Sequence, residues 1–232
     1  MIQVRPFAQL GHANHGWLDA HHHFSFAEYH DPQRMGFGPL RVWNDDHIRA
    51  HSGFPPHPHR DMEIITYVRS GAISHEDQLG NRGRTEAGDV QVMSAGTGVV
   101  HAEYNRESVD TEIFQIWVEP TQRGMPPRWE TRTFPKATRS GQLIAVASGR
   151  DGDLGAARIH ADAVLWAATL RAGESVQHTL APGRRAYLVA ASGSLEVNGV
   201  AASARDGVAI QGETLVTVSA LEAAEVLLLD LP

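Results

Sequence analysis

The sequence predicts an all-β protein made of two tandem barrel-like units, and three observations carry that reading. Segments with sustained i, i+3, i+4, i+7 apolar spacing and helix caps are missing, whereas short apolar or alternating runs recur between Gly, Asn and Asp punctuation. Asn198-Gly199 lies between Leu195-Glu196-Val197 and Val200-Ala201, and both turn residues tolerate the positive φ of a tight two-residue hairpin. The order Ser-Gly, strand, turn, strand, Gly, strand is read twice, in SGAISHEDQLGNRGRTEAGDVQV from Ser70 and in SGSLEVNGVAASARDGVAI from Ser192. Gly71 to Gly88 spans 17 residues and Gly193 to Gly207 spans 14, a drift that a shorter hairpin explains, so the pattern reads as a tandem duplication.

Taken along the chain, the predicted strands are Leu40–Asn44, Met62–Val68, Ala72–His75, Val90–Met93, Ile113–Val118, Leu143–Ala147, Val164–Leu170, Ala186–Ala190, Ser194–Val197, Leu215–Val218 and Val226–Leu229. Many short strands mean a sandwich or barrel. Glu119–Gly141 is rich in Pro, Arg and Thr and reads as the connection between units, which puts the division at residues 1–135 and 136–232. The length of 232 residues suits one large or two small domains.

Composition narrows the function classes. Apolar residues make up 42% and charged residues 20%, ordinary globular usage that excludes disordered and fibrous chains. The apolar stretch Ala163–Leu170, Thr169 included, has eight residues where a membrane span needs about twenty. The N-terminus MIQVRPFAQLGH lacks the basic-then-apolar order of a signal peptide, so a soluble cytoplasmic chain is expected. With 20 basic against 27 acidic residues and no polybasic run, direct nucleic-acid binding is not expected. No cysteine is present, so any metal must be held by His, Asp or Glu.

Histidine is the outlier: 14 residues, twelve of them at or before position 101. In GFPPHPHRDME, His57 and His59 are two apart, and in an extended chain both imidazoles project from one face. In GDVQVMSAGTGVVHAEYN, His101 and Glu103 are again two apart. Two strands meeting in a small barrel would offer three imidazoles and a carboxylate, which suits a first-row divalent ion with open positions left for chemistry. His12, His15 and His21–His23 form a further tract without a carboxylate pattern, expected to be structural or to line a substrate channel. Trp17, Phe24 and Phe26 are expected as core anchors, since no basic residues interleave with them as a base-stacking platform needs. Gly96-Thr97-Gly98 lacks the Lys-Ser/Thr of a phosphate loop, and Ser94 lacks the Gly-x-Ser-x-Gly turn of a hydrolase. Gln115 and Tyr67 lie in predicted strands beside the barrel interior, within reach of a ligand or simply buried.

These two histidine segments resemble the two cupin motifs. Gly53, His57, His59, Glu63 and Gly71 fit the first, and Gly88, Gly96, His101 and Asn105 fit the second, with a longer approach from Gly96 to His101 than is usual. The HAE spelling at His101–Glu103, together with the N-terminal GHANHGWLDAHHHFSFAEYHDP, resembles the pirin family over most of the first 120 residues. In the second half the resemblance rests on the duplication and the ending EVLLLDLP. It implies a bicupin, two tandem double-stranded β-helix (jelly-roll) barrels, with one metal in the N-terminal barrel held by His57, His59, His101 and Glu103. Glu63 is the rival carboxylate; with Glu103 preferred, it would orient an imidazole from behind. The implied activity is quercetin 2,3-dioxygenase-like cleavage of a flavonol with O2, with Glu103 as the catalytic proton acceptor. Fe(II) is the first choice of metal, and Ni, Cu, Mn, Co and Zn are alternatives. Two other readings stand beside it: a metal- or redox-responsive regulator acting through protein partners, and a zinc isomerase. The duplication offset carries the ligand positions to Thr179, Ala181, Ala220 and Glu222, with only His178 nearby, so the second barrel is expected to hold no metal.

Overall fold

A computed structural model describes residues 1–232. Its strands, in chain order, are β1 (Ile2–Arg5), β2 (Gly11–Asn14), β3 (Leu18–His22), β4 (Leu40–Ile48), β5 (Ser52–His59), β6 (Glu63–Ser70), β7 (Ala72–Asp77), β8 (Arg82–Glu86), β9 (Val90–Ser94), β10 (Val99–Asn105), β11 (Thr111–Val118) and β12 (Arg128–Arg132). They continue as β13 (Ile144–Ser148), β14 (Ala157–Arg158), β15 (Val164–Leu170), β16 (Ser175–Thr179), β17 (Arg185–Ser192), β18 (Leu195–Val197), β19 (Val200–Ala202), β20 (Gly207–Gln211), β21 (Leu215–Ala220) and β22 (Ala224–Leu231). Two 3-10 turns, Phe7–Gln9 and Lys136–Arg139, are the only helical elements. No helix is long and apolar enough to cross a membrane.

The strands form two barrels of like topology. In the first, a seven-stranded sheet ordered β12-β9-β6-β11-β4-β3-β2 faces a four-stranded sheet ordered β5-β10-β7-β8. In the second, β1-β20-β17-β22-β15-β13-β14 faces β16-β21-β18-β19. The hairpins β7–β8 and β18–β19 occupy matching places, each entered through a left-handed glycine, Gly71 (φ +73°) and Gly193 (φ +78°). A Cβ at Gly71 would sit 2.5 Å from Thr111 Oγ1 and one at Gly193 2.5 Å from the Ala223 carbonyl oxygen, so a side chain is excluded at both. The duplicated Ser-Gly pattern is thus the entry to the small sheet of each barrel, and the bicupin all-β architecture is the one observed.

The large sheets of the two barrels pack against each other. Twenty-five buried residues form one apolar cluster that runs from Trp43, Ile65 and Phe114 in the first half to Leu165, Val189 and Leu229 in the second. Strands covered on both faces need no polar alternation, which is why β6 and β22 read as near-continuous apolar runs. The small-sheet strands β16 and β21 keep one wet face and alternate. Two features tie the halves together beyond this core. β1 pairs with β20, so Ile2–Arg5 complete the large sheet of the second barrel. Within Glu119–Gly141, β12 pairs with β9 through Trp129↔Met93 and its neighbours, so this segment is partly a sheet strand rather than a free connection.

The second barrel is filled by aliphatic side chains such as Val176, Leu195, Val216 and Val218. His178 Nε2 donates to Asp230 Oδ2 at 3.0 Å, and the same carboxylate receives Arg184 Nε at 2.6 Å and Arg150 Nη2 at 2.8 Å. Burial pushes the Asp230 carboxyl up, but the hydrogen bonds from His178 and Arg184 and the Arg184 charge outweigh it and hold it below its ordinary value. A depressed acid stabilises the fold above its unfolded pKa of about 3.9 and loses that contribution as pH falls through the lower folded value. Asp230→Asn is therefore expected to cost about 3 kcal/mol at pH 7. The gap to wild type should close below pH 4 in urea melts; a gap independent of pH would refute the ionic origin.

Candidate metal centre

The histidine-bearing strands meet on the four-stranded sheet of the first barrel. β5 is its edge strand, which accommodates Pro55, Pro56 and Pro58 without breaking a ladder on both sides. β10 pairs with it so that His101 faces His57 and Val99 faces His59, with a bulge between His101 and Glu103. The close approach depends on Gly53, where a Cβ would stand 2.2 Å from the Glu103 carbonyl oxygen. This is the physical role of the motif glycine.

The ligand-capable atoms of His57, His59 and His101 all lie within 4.8 Å of one another. The Pro55 carbonyl, 2.7 Å from His57 Nδ1, must receive the Nδ1 proton, which leaves the Nε2 lone pair free. His101 Nε2 is buried without a hydrogen-bond partner. Burial, then His57, His59 and His75, push the His101 imidazole down to about 2; burial and His57 push His59 down to about 4. Neutral rings with an orphaned nitrogen among them are a donor set that fits a divalent ion.

Glu103 lies one step away. Its carboxylate groups with His75 and His101 within 4.8 Å, not with His57 and His59. Gln91 Nε2 donates to Oε1 and Gln115 Nε2 to Oε2 at 3.0 Å. Burial raises the Glu103 carboxyl to about 7 against the lowering effect of these amides. Glu63 has other duties: it accepts Ser94 Oγ at 2.7 Å and the His160 N–H at 3.0 Å, and joins neither cluster. It ties the second half to β6 and does not orient an imidazole.

His75 was not singled out in the sequence, because one histidine in a strand carries no spacing signal. Its position is set by register, opposite Glu103 on β10. His75 Nδ1 lies 3.3 Å from His101 Nδ1, His75 Nε2 lies 3.2 Å from Asp77 Oδ2, and Trp129 stacks on the ring at 4.9 Å and 10°. This buries a positioning group directly behind His101.

A cavity of about 610 Å³ opens beside the cluster. Gln115, which holds Glu103, and Phe54, whose ring is 6.3 Å from that of His57, belong to its wall. Phe26 and Tyr29 add aromatic surface; His12, His15 and His22 of the N-terminal tract also face it, whereas His21 and His23 do not line it. Its polar groups include His22, whose Nδ1 lies 2.9 Å from Asn44 Oδ1, and Asp46. Burial, then Asp45 and Glu103, hold the Asp46 carboxyl well above its usual range. Phe24 is a core residue, Phe26 a cavity wall, and Tyr67 lies in the core bonded to Glu225 and Arg139.

Comparison with known proteins gives a family and near relatives. Residues 3–118 match the Pirin family model and residues 145–231 match the model of the quercetinase C-terminal cupin domain. A Pseudomonas aeruginosa protein, provisionally named a quercetin 2,3-dioxygenase, is 64% identical over 230 residues and 99% of both chains. A Caulobacter vibrioides pirin-like protein is 57% identical over 99% of both, and the Escherichia coli K12 quercetin 2,3-dioxygenase is 46% identical over 100% of this chain and 99% of its own. The crystal structure of the bacterial pirin YhhW from Escherichia coli in complex with nickel(II) superposes with a TM-score of 0.93 at 45% identity, covering 100% of this chain and 99% of that one.

Proposed function

The chain belongs to the pirin family, and from that membership and the geometry of the first barrel we propose that it is a metal-dependent dioxygenase cleaving a flavonol such as quercetin. The observation that carries the reading is the trio His57, His59 and His101, with an orphaned buried nitrogen, set beside a cavity of aromatic and polar walls. Relatives named for quercetin 2,3-dioxygenase activity support the substrate class.

In this reading His57, His59 and His101 hold one first-row divalent ion, Fe(II) first among the candidates, and Glu103 completes the set. The ion, when bound, supplies Lewis acidity and one-electron chemistry next to O2. The remaining work falls to side chains. Phe26, Tyr29 and Phe54 clamp a planar ring system in a space within the ordinary range for small-molecule sites. Asn44, Gln115 and Asp46, whose carboxyl burial holds well above its usual range, orient its hydroxyl and carbonyl oxygens. Glu103, with a carboxyl near neutrality, takes the proton of the reacting hydroxyl, and Gln91 and Gln115 hold it in place.

The decisive experiment is oxygen uptake by Fe(II)-reconstituted protein with quercetin. Uptake with carbon monoxide release, absent in His101→Ala, is the expected result. Stoichiometric flavonol binding without O2 consumption would overturn the dioxygenase reading and favour a regulator acting through protein partners.

A further inference from the structure

The hairpin β2–β3 carries a second group of metal-capable side chains, separate from the centre above. In its antiparallel register His12 faces His21 and Asn14 faces Asp19. Residues two apart share a face of a strand, so these four side chains project from one side of the hairpin. His12 Nε2 is 2.8 Å from Asp19 Oδ1, His21 Nδ1 is 3.7 Å from the same oxygen, and the three ligand atoms all lie within 4.8 Å of one another. The two imidazoles stack at 4.6 Å and 26°. Ligand atoms about 2.1 Å from a common ion stand about 3.0–3.4 Å apart in octahedral or tetrahedral geometry. The 2.8 and 3.7 Å spacings bracket that range, so small side-chain rotations suffice.

The hairpin also orients the group. Asn14 Nδ2 donates to Asp19 Oδ2 at 3.1 Å while Asn14 Oδ1 accepts the Gly16 N–H at 2.8 Å, which leaves Oδ1 for the two rings. Phe7 packs on the His21 ring at 4.3 Å. Arg205 lies over Phe7 and is paired with Asp45 at 2.5 Å. His21 Nδ1 is buried and has no hydrogen-bond partner, an atom aimed at the cluster with nothing bound to it.

We propose that His12, Asp19 and His21 form a second divalent-cation site, suited to a borderline first-row ion such as Zn(II) or Ni(II). Two imidazoles and one carboxylate leave its other positions to water or to an oxygen ligand. His12 also lines the 610 Å³ cavity, so the ion stands at the rim through which a ligand reaches the barrel. The inference shares no ligand with the His57, His59 and His101 centre and does not rest on the dioxygenase reading.

The test is Zn(II) titration of chelator-stripped protein by calorimetry, with circular dichroism to check each variant's fold. Wild type should take up two equivalents, His101→Ala one and His12→Ala one, and the double variant none. The half-exposed His12 can be truncated without opening the core. His30→Ala, eight residues beyond the end of β3 and outside the cluster, should leave both equivalents in place. A folded His101→Ala protein that binds no zinc, or a His12→Ala protein that matches wild type, overturns the proposal. Loss of the same equivalent in His30→Ala would show adventitious surface binding only and overturn it too.

Discussion

His101→Ala should abolish flavonol turnover and remove one bound metal equivalent while leaving the fold intact. His101 is the residue common to the His57, His59, His101 and the His75, His101, Glu103 clusters, facing His57 across the strand pair and His75 from behind. Its Nε2 has no partner in the protein, so deleting the ring breaks no satisfied hydrogen bond on that side, and what the metal-free fold loses is the packing of a buried ring and the contact with His75 Nδ1. The loaded protein loses more, because an ion bound only to the native state stabilises it by mass action. The measurement is metal content and thermal melting with and without chelator: wild type should shift more on metal removal than the variant, which has lost the ion of the His57, His59 and His101 centre. Glu103→Gln separates holding from chemistry. With three imidazoles intact it should still bind the ion, while loss of the proton acceptor lowers kcat by about 10²–10⁴-fold. Full metal occupancy and turnover in His101→Ala would dismantle the centre, and unchanged kcat in Glu103→Gln would remove the carboxylate from its role.

The centre was legible wherever chemistry and strand period coincide. His57 and His59 share a face because they are two apart, and that pattern survives without knowledge of the fold. Glu103 also follows from spacing, but its distance from His57 and His59 depends on a bulge that no composition rule announces. At Glu63 a motif position fixes sequence, not direction: on β6 its carboxylate faces Ser94 and the His160 N–H. The apolar strands were readable, whereas Arg82–Glu86 and Arg128–Arg132 are strands rich in charged residues whose pairing comes from register with β7 and β9. The transfer of Ile2–Arg5 to the second barrel is likewise a long-range pairing, and local sequence carries no trace of it.

The same long-range ties predict the largest stability effect, at Arg139. This residue sits in the short turn Lys136–Arg139 between the barrels and is fully buried. Its Nη2 donates to Tyr67 Oη at 2.7 Å on β6 and to Glu225 Oε1 at 2.6 Å on β22, and its Nη1 reaches the Gly88 carbonyl at 3.2 Å. Tyr67 donates in turn to Glu225, and burial together with that carboxylate keeps the phenol protonated far above its usual range. Removing Arg139 strands Glu225 in the interface with only Lys136, at 2.8 Å and half-exposed, as counter-charge. Breaking a buried pair in this way costs about 3–5 kcal/mol, which for a chain of this size lowers Tm by about 6–20 °C. Glu225→Gln on the Arg139→Ala background should recover part of the loss, since the stranded charge goes with it. Urea unfolding followed by tryptophan fluorescence and circular dichroism is the check. Because Trp43 and Leu229 belong to one apolar cluster, both probes should report a single transition with an unchanged slope. A loss under 1 kcal/mol, or two separated transitions in wild type, would mean that the barrels stand independently and that Arg139 joins nothing.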